Sequence, residues 1–351
     1  MKQAEQPFIS WVMPAYNVES YIRTAIDSIL AQTVDIPFEL IIVNDCSNDS
    51  TGDIAEEYAA RDSRIRVIHR TTRSGSAFLA RKEAILDSMG VYIAPLDADD
   101  FVSPDYLHIL LKDIISKDEY RDTDLSSFLD SSFNNLPDII YPLMYNGNSP
   151  LADYSELLGK SFQGSDCVVF TLDGWKINCN GGLLNRDLYI KAFEKVPTGN
   201  SEKGSSIYED EVLTRVLLKN ADKVLFSTAR YYYRVNPCSV THLKTSRSQE
   251  YLYADTLLIK FIIKEYGIDS DEYILVNKQA FHHYFDALRF INNYNLNREE
   301  VRKVIIMAKE LKQNVDKSII RDWVSPRYFS LFILPTTFSR VLVKVIDKLK
   351  K

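Results

Sequence analysis

Cysteine is scarce: the 351-residue chain has four, Cys46, Cys167, Cys179 and Cys238, and none lies in a C-x-x-C pair. That usage excludes a zinc knuckle and a dithiol redox motif, and it reads as reduced thiols in a cytosolic protein. Missing too is any uninterrupted apolar run of the roughly 20 residues that a spanning helix requires. Met1 to Pro7 is polar and leads straight into a strand-like run, so no export signal is expected and the expected compartment is the cytoplasm. Positive charge is not in excess. The formal net charge is -6, which argues against nucleic acid as a partner, because phosphate contacts need a basic surface. No internal repeat is visible, and no Gly-rich phosphate loop with a paired lysine follows the first strand-like run.

What is present describes an ordinary globular chain, 46% hydrophobic and 26% charged, long enough for one large domain with an appendage or for two domains. Phe8 to Met13 reads as a strand stopped by Pro14. Val18, Tyr21, Ile22, Ala25, Ile26, Ile29 and Leu30 then recur at helical spacing. Leu40 to Val43 is a second buried-type strand, Asp49-Ser50-Thr51 suits a helix start, and Ile65 to His69 is a third strand. A helix from about Ser76 to Met89 is expected to close at Gly90 as its C-cap, before a strand over Val91 to Leu96. Strands alternating with helices imply a parallel, doubly wound sheet that binds ligands beyond the carboxyl ends of its strands. Asp118 to Asn135 is polar and reads as an insertion. Beyond Ser239 the pattern turns helical, with helices expected over Tyr251 to Tyr266, Glu272 to Asn292 and Arg298 to Lys312. This places a domain over residues 1–238 and a helical region over 239–351.

The residues with chemistry in them begin at Leu96-Asp97-Ala98-Asp99-Asp100, which puts three carboxylates at the end of a strand. Anions so close repel one another unless a cation sits among them, and Mn2+ or Mg2+ shared with substrate phosphates is one answer. The other is plain helix capping by Asp99 or Asp100, ahead of a helix near Ser103-Pro104.

Together with Pro14-Ala15-Tyr16-Asn17, Val43-Asn44-Asp45-Cys46-Ser47-Asn48-Asp49-Ser50-Thr51 and Ala80-Arg81, in this order and at about this spacing, the motif resembles the family 2 glycosyltransferases. The likeness covers Phe8 to Leu107 and extends, with less detail, to His242. It implies a GT-A fold, a Rossmann-like and mostly parallel sheet flanked by helices, followed here by a helical C-terminal region. An inverting transfer from a UDP-sugar to an acceptor hydroxyl in surface glycan biosynthesis is implied as well. Pro14, Ala15 and Tyr16 would line the base, Asp45 would bind the uracil, Arg81 would approach the base or phosphates, and Asp97 with Ala98 would meet the ribose. Asp99 would hold the metal, with Asp100 sharing it and His242 as a third ligand, while Arg234 would offset the diphosphate. Bland alternatives stay open: Tyr16 as core packing, Asp45 as a turn residue. Two positions depart from the family's usual wording, Asn44 where a second acid is common and Lys82 where asparagine is common.

Glu209-Asp210-Glu211 heads a periodic apolar run, where a helix dipole favours acids, and the resemblance points to Asp210 as the base with Glu209 or Glu211 as the alternative. Gly181 and Gly182 would let the backbone approach a sugar, or would simply make a turn, and Trp175 would be an acceptor platform or plain packing, with Glu209 also on the acceptor side. A Gln-x-x-Arg-Trp motif is absent, which favours single addition over processive synthesis. Rival readings are a nucleotidyltransferase and a silent nucleotide- or glycan-binding module. At the C-terminal end, Phe338, Val341, Leu342, Val345, Ile346 and Leu349 form a helical stripe flanked by Arg340, Lys344, Lys348, Lys350 and Lys351. That pattern suits an anionic membrane interface carrying lipid-linked acceptors, or a helix docked on its own domain or on a second copy in a homodimer.

Overall fold

The computed structural model describes residues 6–114, 136–151, 156–172, 181–196, 208–237, 239 and 244–349. Trp175, His242 and the side chain of Glu209 lie outside them, as does the Asp118 to Asn135 stretch. The chain divides into two compact units, one of residues 1–171, 175–196 and 213–235, the other of 172–174, 197–212 and 236–351.

In the first unit the strands are β1 Ile9–Ala15, β2 Phe38–Asn44, β3 Ile65–His69, β4 Tyr92–Pro95, β5 Phe101–Val102, β6 Ile139–Asn146, β7 Ser149–Pro150, β8 Ser161–Phe162, β9 Leu183–Asn185 and β10 Val224–Tyr233. They form a sheet in the order β3-β2-β1-β4-β9-β6-β10-β5, with β7 added to β6 and β8 to β10. The β3-β2-β1-β4 half is parallel, whereas β9 runs antiparallel to both its neighbours. Helices α1 Ile22–Leu30, α2 Thr51–Ala59, α3 Ala77–Asp87, α4 Tyr106–Ile114, α5 Gly164–Leu172 and α6 Arg186–Lys195 connect them. Every residue of β1 is buried, as a central parallel strand covered on both faces must be.

Two local expectations are corrected here. Pro14 does not stop β1, which continues to Ala15 with Pro14 opposite Val43 of β2. Val12 accepts from Leu96 on the β4 side and Ala15 accepts from Asp45 on the β2 side, so the nitrogen of Pro14 faces β4, where pairing has ended at Val12 and Pro95. The missing donor falls where no partner is needed. Gly90 is not the cap of α3, which ends on an extended Ser88. A Cβ on Gly90 would lie 2.6 Å from the nitrogen of Ser10, so it is the close approach to β1 that excludes a side chain.

In the second unit α7 Glu209–Asn220 begins, and α8 Tyr251–Tyr266, α9 Asp271–Asn293, α10 Arg298–Asn314, α11 Lys317–Trp323, α12 Pro326–Ile333 and α13 Thr336–Leu349 follow. Asn297 and Glu300 form a reciprocal capping box at the start of α10. The last helix is oriented against its own hydrophobic stripe. Thr336, Ser339 and Val343 face inward, while Phe338, Val341 and Val345 are 65%, 61% and 48% exposed. Among the described residues no helix is long and apolar enough to cross a membrane.

The turn into β9 generates a stability prediction. Gly182 has φ +89 and its missing Cβ would sit 2.0 Å from the Ile140 carbonyl oxygen, whereas Gly147, at φ +59, has nothing within 4 Å. Gly147→Ala is expected to lose about 1 kcal/mol from backbone strain alone, and Gly182→Ala at least about 3 kcal/mol. Urea midpoints that fall equally in the two variants would show that the β6 contact relaxes freely.

Candidate active site

The parallel strands end on one edge, and the polar residues there are held by interlocking loops. Asn17 and Cys46 both take positive φ, 52 and 63, where asparagine is tolerated and cysteine is uncommon. Asn17 donates its backbone N–H to Ser47 Oγ at 3.1 Å and accepts from the Asn48 N–H at 2.9 Å. Val18 N–H reaches Thr51 Oγ1 at 2.8 Å, so the β1 and β2 loops are joined by side chains from both motifs. Asn44 accounts for its departure from an acid: its amide contacts His69 Nδ1 at 3.0 Å and accepts from Ser47 N–H at 3.1 Å. A carboxylate could only accept.

Asp45 is 5% exposed, and its oxygens face Ser74 N–H at 2.8 Å, Ser74 Oγ at 2.9 Å, Gly75 N–H at 3.0 Å and the Arg70 guanidinium at 3.1 Å. Its carboxylate is thus occupied in holding the 70–75 loop. Tyr16 is half-buried and carries the Arg73 guanidinium 3.7 Å from its ring centre, so it is not core packing. Arg81, 2% exposed, is ion-paired with Asp97 at 2.7 Å, which joins two of the expected donor residues to each other.

After β4 the backbone alternates. Asp97 and Asp99 are half-exposed, and Ala98 and Asp100 are buried. Asp100 faces inward: Tyr231 donates its hydroxyl to Oδ2 at 2.7 Å and the Arg234 N–H reaches Oδ1 at 2.9 Å. The Tyr231 oxygen also accepts from Asp97 N–H at 3.3 Å. Burial first, then the charges of Asp97 and Asp99, push the Asp100 carboxyl up to about 8 against the opposing hydrogen bonds. This acid braces the turn, whereas Asp99 is half-exposed. Among the described residues no group of three or more His, Cys, Asp or Glu side chains could hold a metal ion. The carboxylate of Asp99 is the kind of hard oxygen donor that Mn2+ or Mg2+ takes, and such an ion, when shared with a diphosphate, needs only one or two carboxylates from the protein.

Arg234 differs from its expected role. Its guanidinium donates to the backbone carbonyls of Asp99, Asp100 and Tyr21 and lies 5.1 Å and 5.4 Å from the Tyr21 and Phe101 ring centres. It clamps the turn to the start of α1. Gly181 and Gly182 likewise have structural reasons: a Cβ on Gly181 would meet the Tyr231 ring at 3.2 Å, and Gly182 donates its N–H to Tyr106 Oη at 2.7 Å. Tyr231 is the residue that the motif reading missed. Its only signal was its place in the aromatic run Tyr231-Tyr232-Tyr233 ahead of Arg234.

Residues 10–138 match the family described as "Glycosyl transferase family 2". The chain carries a family 2 glycosyltransferase domain. Glycosyltransferase GlyA of Streptococcus pneumoniae is 35% identical over 249 residues, 68% of this chain and 32% of GlyA. EpsJ of Bacillus subtilis, described as an uncharacterized glycosyltransferase, is 47% identical over 97 residues, 28% of this chain and 27% of that protein. The chain thus spans less than a third of the length of either curated relative. The fold extends further than the sequence likeness: the S. aureus TarS 1-349 structure with UDP superposes with a TM-score of 0.65 at 18% identity, covering 98% of this chain and 92% of that one. That establishes the GT-A fold, with a helical region following the sheet.

The buried acid yields a pH prediction. A carboxyl whose folded pKa lies above its unfolded value of about 4 binds protons more tightly when folded, so its contribution to stability falls as pH rises from about 4 to about 8. In EDTA, the melting temperature of wild type relative to Asp100→Asn should therefore decline across that window. A difference that stays flat with pH would mean Asp100 is not perturbed.

Proposed function

We propose that this chain is an inverting glycosyltransferase that moves a sugar from a UDP-sugar to the hydroxyl of a glycan or lipid-linked acceptor in surface glycan biosynthesis. The observation that carries the reading is the outward pair Asp97 and Asp99 at the end of β4, in a family 2 domain, with Asp100 turned inward to brace it. Support for the donor class comes from S. aureus TarS, whose structures include complexes with UDP and with UDP-GlcNAc.

Pro14, Ala15 and Tyr16 form the base side of the donor site, and Asp45 shapes it by holding the 70–75 loop. Asp97, oriented by Arg81, is assigned to the ribose. Asp99 is assigned to a divalent cation, Mn2+ or Mg2+, which when bound offsets the charge of the diphosphate. Inversion in one displacement requires a base that takes the acceptor proton as its oxygen bonds the anomeric carbon and the bond to the diphosphate breaks. Asp210 is assigned that role. It stands in the first turn of α7, where the helix dipole favours negative charge.

The two acids should fail differently. Asp210→Asn keeps the shape but cannot take the proton, so kcat should fall by at least about 100-fold with UDP affinity nearly unchanged. Asp99→Ala should instead abolish the dependence of UDP binding on Mn2+ in calorimetry. Equal wild-type affinity in Mn2+ and in EDTA would remove the metal assignment, and collapse in Glu211→Gln with near-normal Asp210→Asn would move the base.

The outward stripe of α13 favours attachment to an anionic membrane surface at the inner face, where lipid-linked acceptors reside. Phe338, Val341 and Val345 are free to enter the interface, and Lys344 on the flank is exposed. Phe338→Ser with Val341→Ser should reduce sedimentation with phosphatidylglycerol vesicles about tenfold while leaving the melting temperature unchanged, since both positions are exposed. Vesicle binding unchanged by the double substitution, with a loss of self-association in ultracentrifugation, would assign the stripe to a second copy of the chain.

A further inference from the structure

The second unit holds a charged pair that its own core does not require. Asp255 lies on α8 among the buried Leu252, Ala254, Leu258 and Ile259, and is itself 3% exposed. A carboxylate in such a place is costly unless it is both paired and hydrogen-bonded. It is both: His283 Nδ1 meets Oδ2 at 2.7 Å and Gln279 Nε2 donates to Oδ1 at 2.9 Å, from positions one helical turn apart on α9. Because a carboxylate only accepts, Nδ1 carries the hydrogen.

From His283 a path of rings leads to the acidic motif. The His283 ring packs edge-on to Tyr251 with centres 4.8 Å apart, and Tyr251 packs edge-on to Tyr208 at 5.8 Å. Tyr208 directly precedes Glu209-Asp210-Glu211, and its hydroxyl donates to the Ser248 carbonyl at 3.2 Å. Tyr251 is fixed in turn by its own hydroxyl, which donates to Gln249 Oε1 at 2.9 Å. Electrostatics follow the same path. Burial alone would lower the imidazole pKa, yet the charge and hydrogen bond of Asp255, with Glu211 and Asp286, hold it above its ordinary value. The charged and titratable groups around His283 include Asp255 and Tyr251 from α8, Glu211 from α7, and Asp286 and the neighbouring His282 on its own helix.

We propose that Asp255 and His283 are a positioning pair, which fixes the head of α7 through the Tyr251 and Tyr208 rings and couples the imidazole to the acidic motif. The inference rests on the reading of this acidic motif as the source of the base. Its physical sense is that adjacent acids disfavour each other's ionised form, and a nearby imidazolium opposes that repulsion. Neither residue touches the reacting atoms.

The test uses the full chain and NMR titration of the His283 ring, with its resonance assigned by elimination through single glutamine substitutions at His69, His108, His242 and His282. The midpoint is expected above about 6.5 in wild type, lower in Glu211→Gln, and lower still in Asp255→Asn. In release of UDP from UDP-GlcNAc, the probe used, His283→Gln should lower kcat about tenfold with little change in donor KM, and should remove the alkaline fall that accompanies loss of the imidazolium. A His283 midpoint unmoved by Glu211→Gln overturns the proposal, even if His283→Gln fails to fold, because Glu211→Gln leaves the pair itself intact. Wild-type kcat in a folded His283→Gln overturns it too. Asp210→Asn in the same assay keeps the questions apart: full turnover there refutes the base assignment and leaves the coupling of His283 to Glu211 standing.

Discussion

The loop-bearing edge of the sheet depends on one buried carboxyl group. Asp100 draws the end of β4, the end of β10 and the first turn of α1 to a common point, through the Tyr231 hydroxyl, the Arg234 N–H and the Arg234 guanidinium. A carboxyl group with 2% exposure is tolerable there because its oxygens are met by hydrogen-bond partners from a different strand and burial favours its neutral form. The consequence is geometric. With Asp100 pinned inward, strand-like alternation sends Asp97 and Asp99 outward, so the buried acid decides where the two half-exposed ones point.

A similar division of labour runs through the adjacent loops. Asp45, Asn17 and Thr51 sit in motifs that suggest ligand contact, yet each is hydrogen-bonded to a neighbouring loop, and Asn44 is held by Ser47 and by His69 at the end of β3. Short polar side chains are suited to this, since they satisfy backbone N–H groups that no ladder reaches. Beside these hydrogen-bonded loops Tyr16 and Arg73 stack as an aromatic and a cationic group. The second unit uses a comparable device, with Asp255 and His283 placing charge behind rings rather than at the surface.

At the C-terminal end the packing runs opposite to the pattern. α13 has a clear apolar stripe, but it docks through Thr336, Ser339 and Val343 and leaves Phe338 and Val341 to solvent. Ser339 is wholly buried and donates its hydroxyl to the Leu331 carbonyl at 2.7 Å, which satisfies a carbonyl near the end of α12. Hydrogen bonding at a helix junction thus outranks burial of the larger side chains, and the stripe remains available to another surface.

Much of the fold was legible in one dimension. Parallel strands buried on both faces write continuous apolar runs, so β1 to β4 and the helices between them could be placed from Phe8 to Leu96, and the long helices α8 to α10 from their 3.6-residue period. The acids after β4 were legible because a ligand-binding edge follows from the topology. What could not be read was partnership across distance. The sequence marks Asp97, Asp99 and Asp100 alike, and only Tyr231, 131 residues beyond Asp100, makes one of them structural. Arg81 and Asp97, and likewise Asp255 and His283, are separated by 16 and 28 residues and become pairs only when tertiary packing brings them together. Local periodicity determines which face of an element is apolar, but which polar group meets which is decided by tertiary contact, because a hydrogen bond depends on distances that no local pattern encodes.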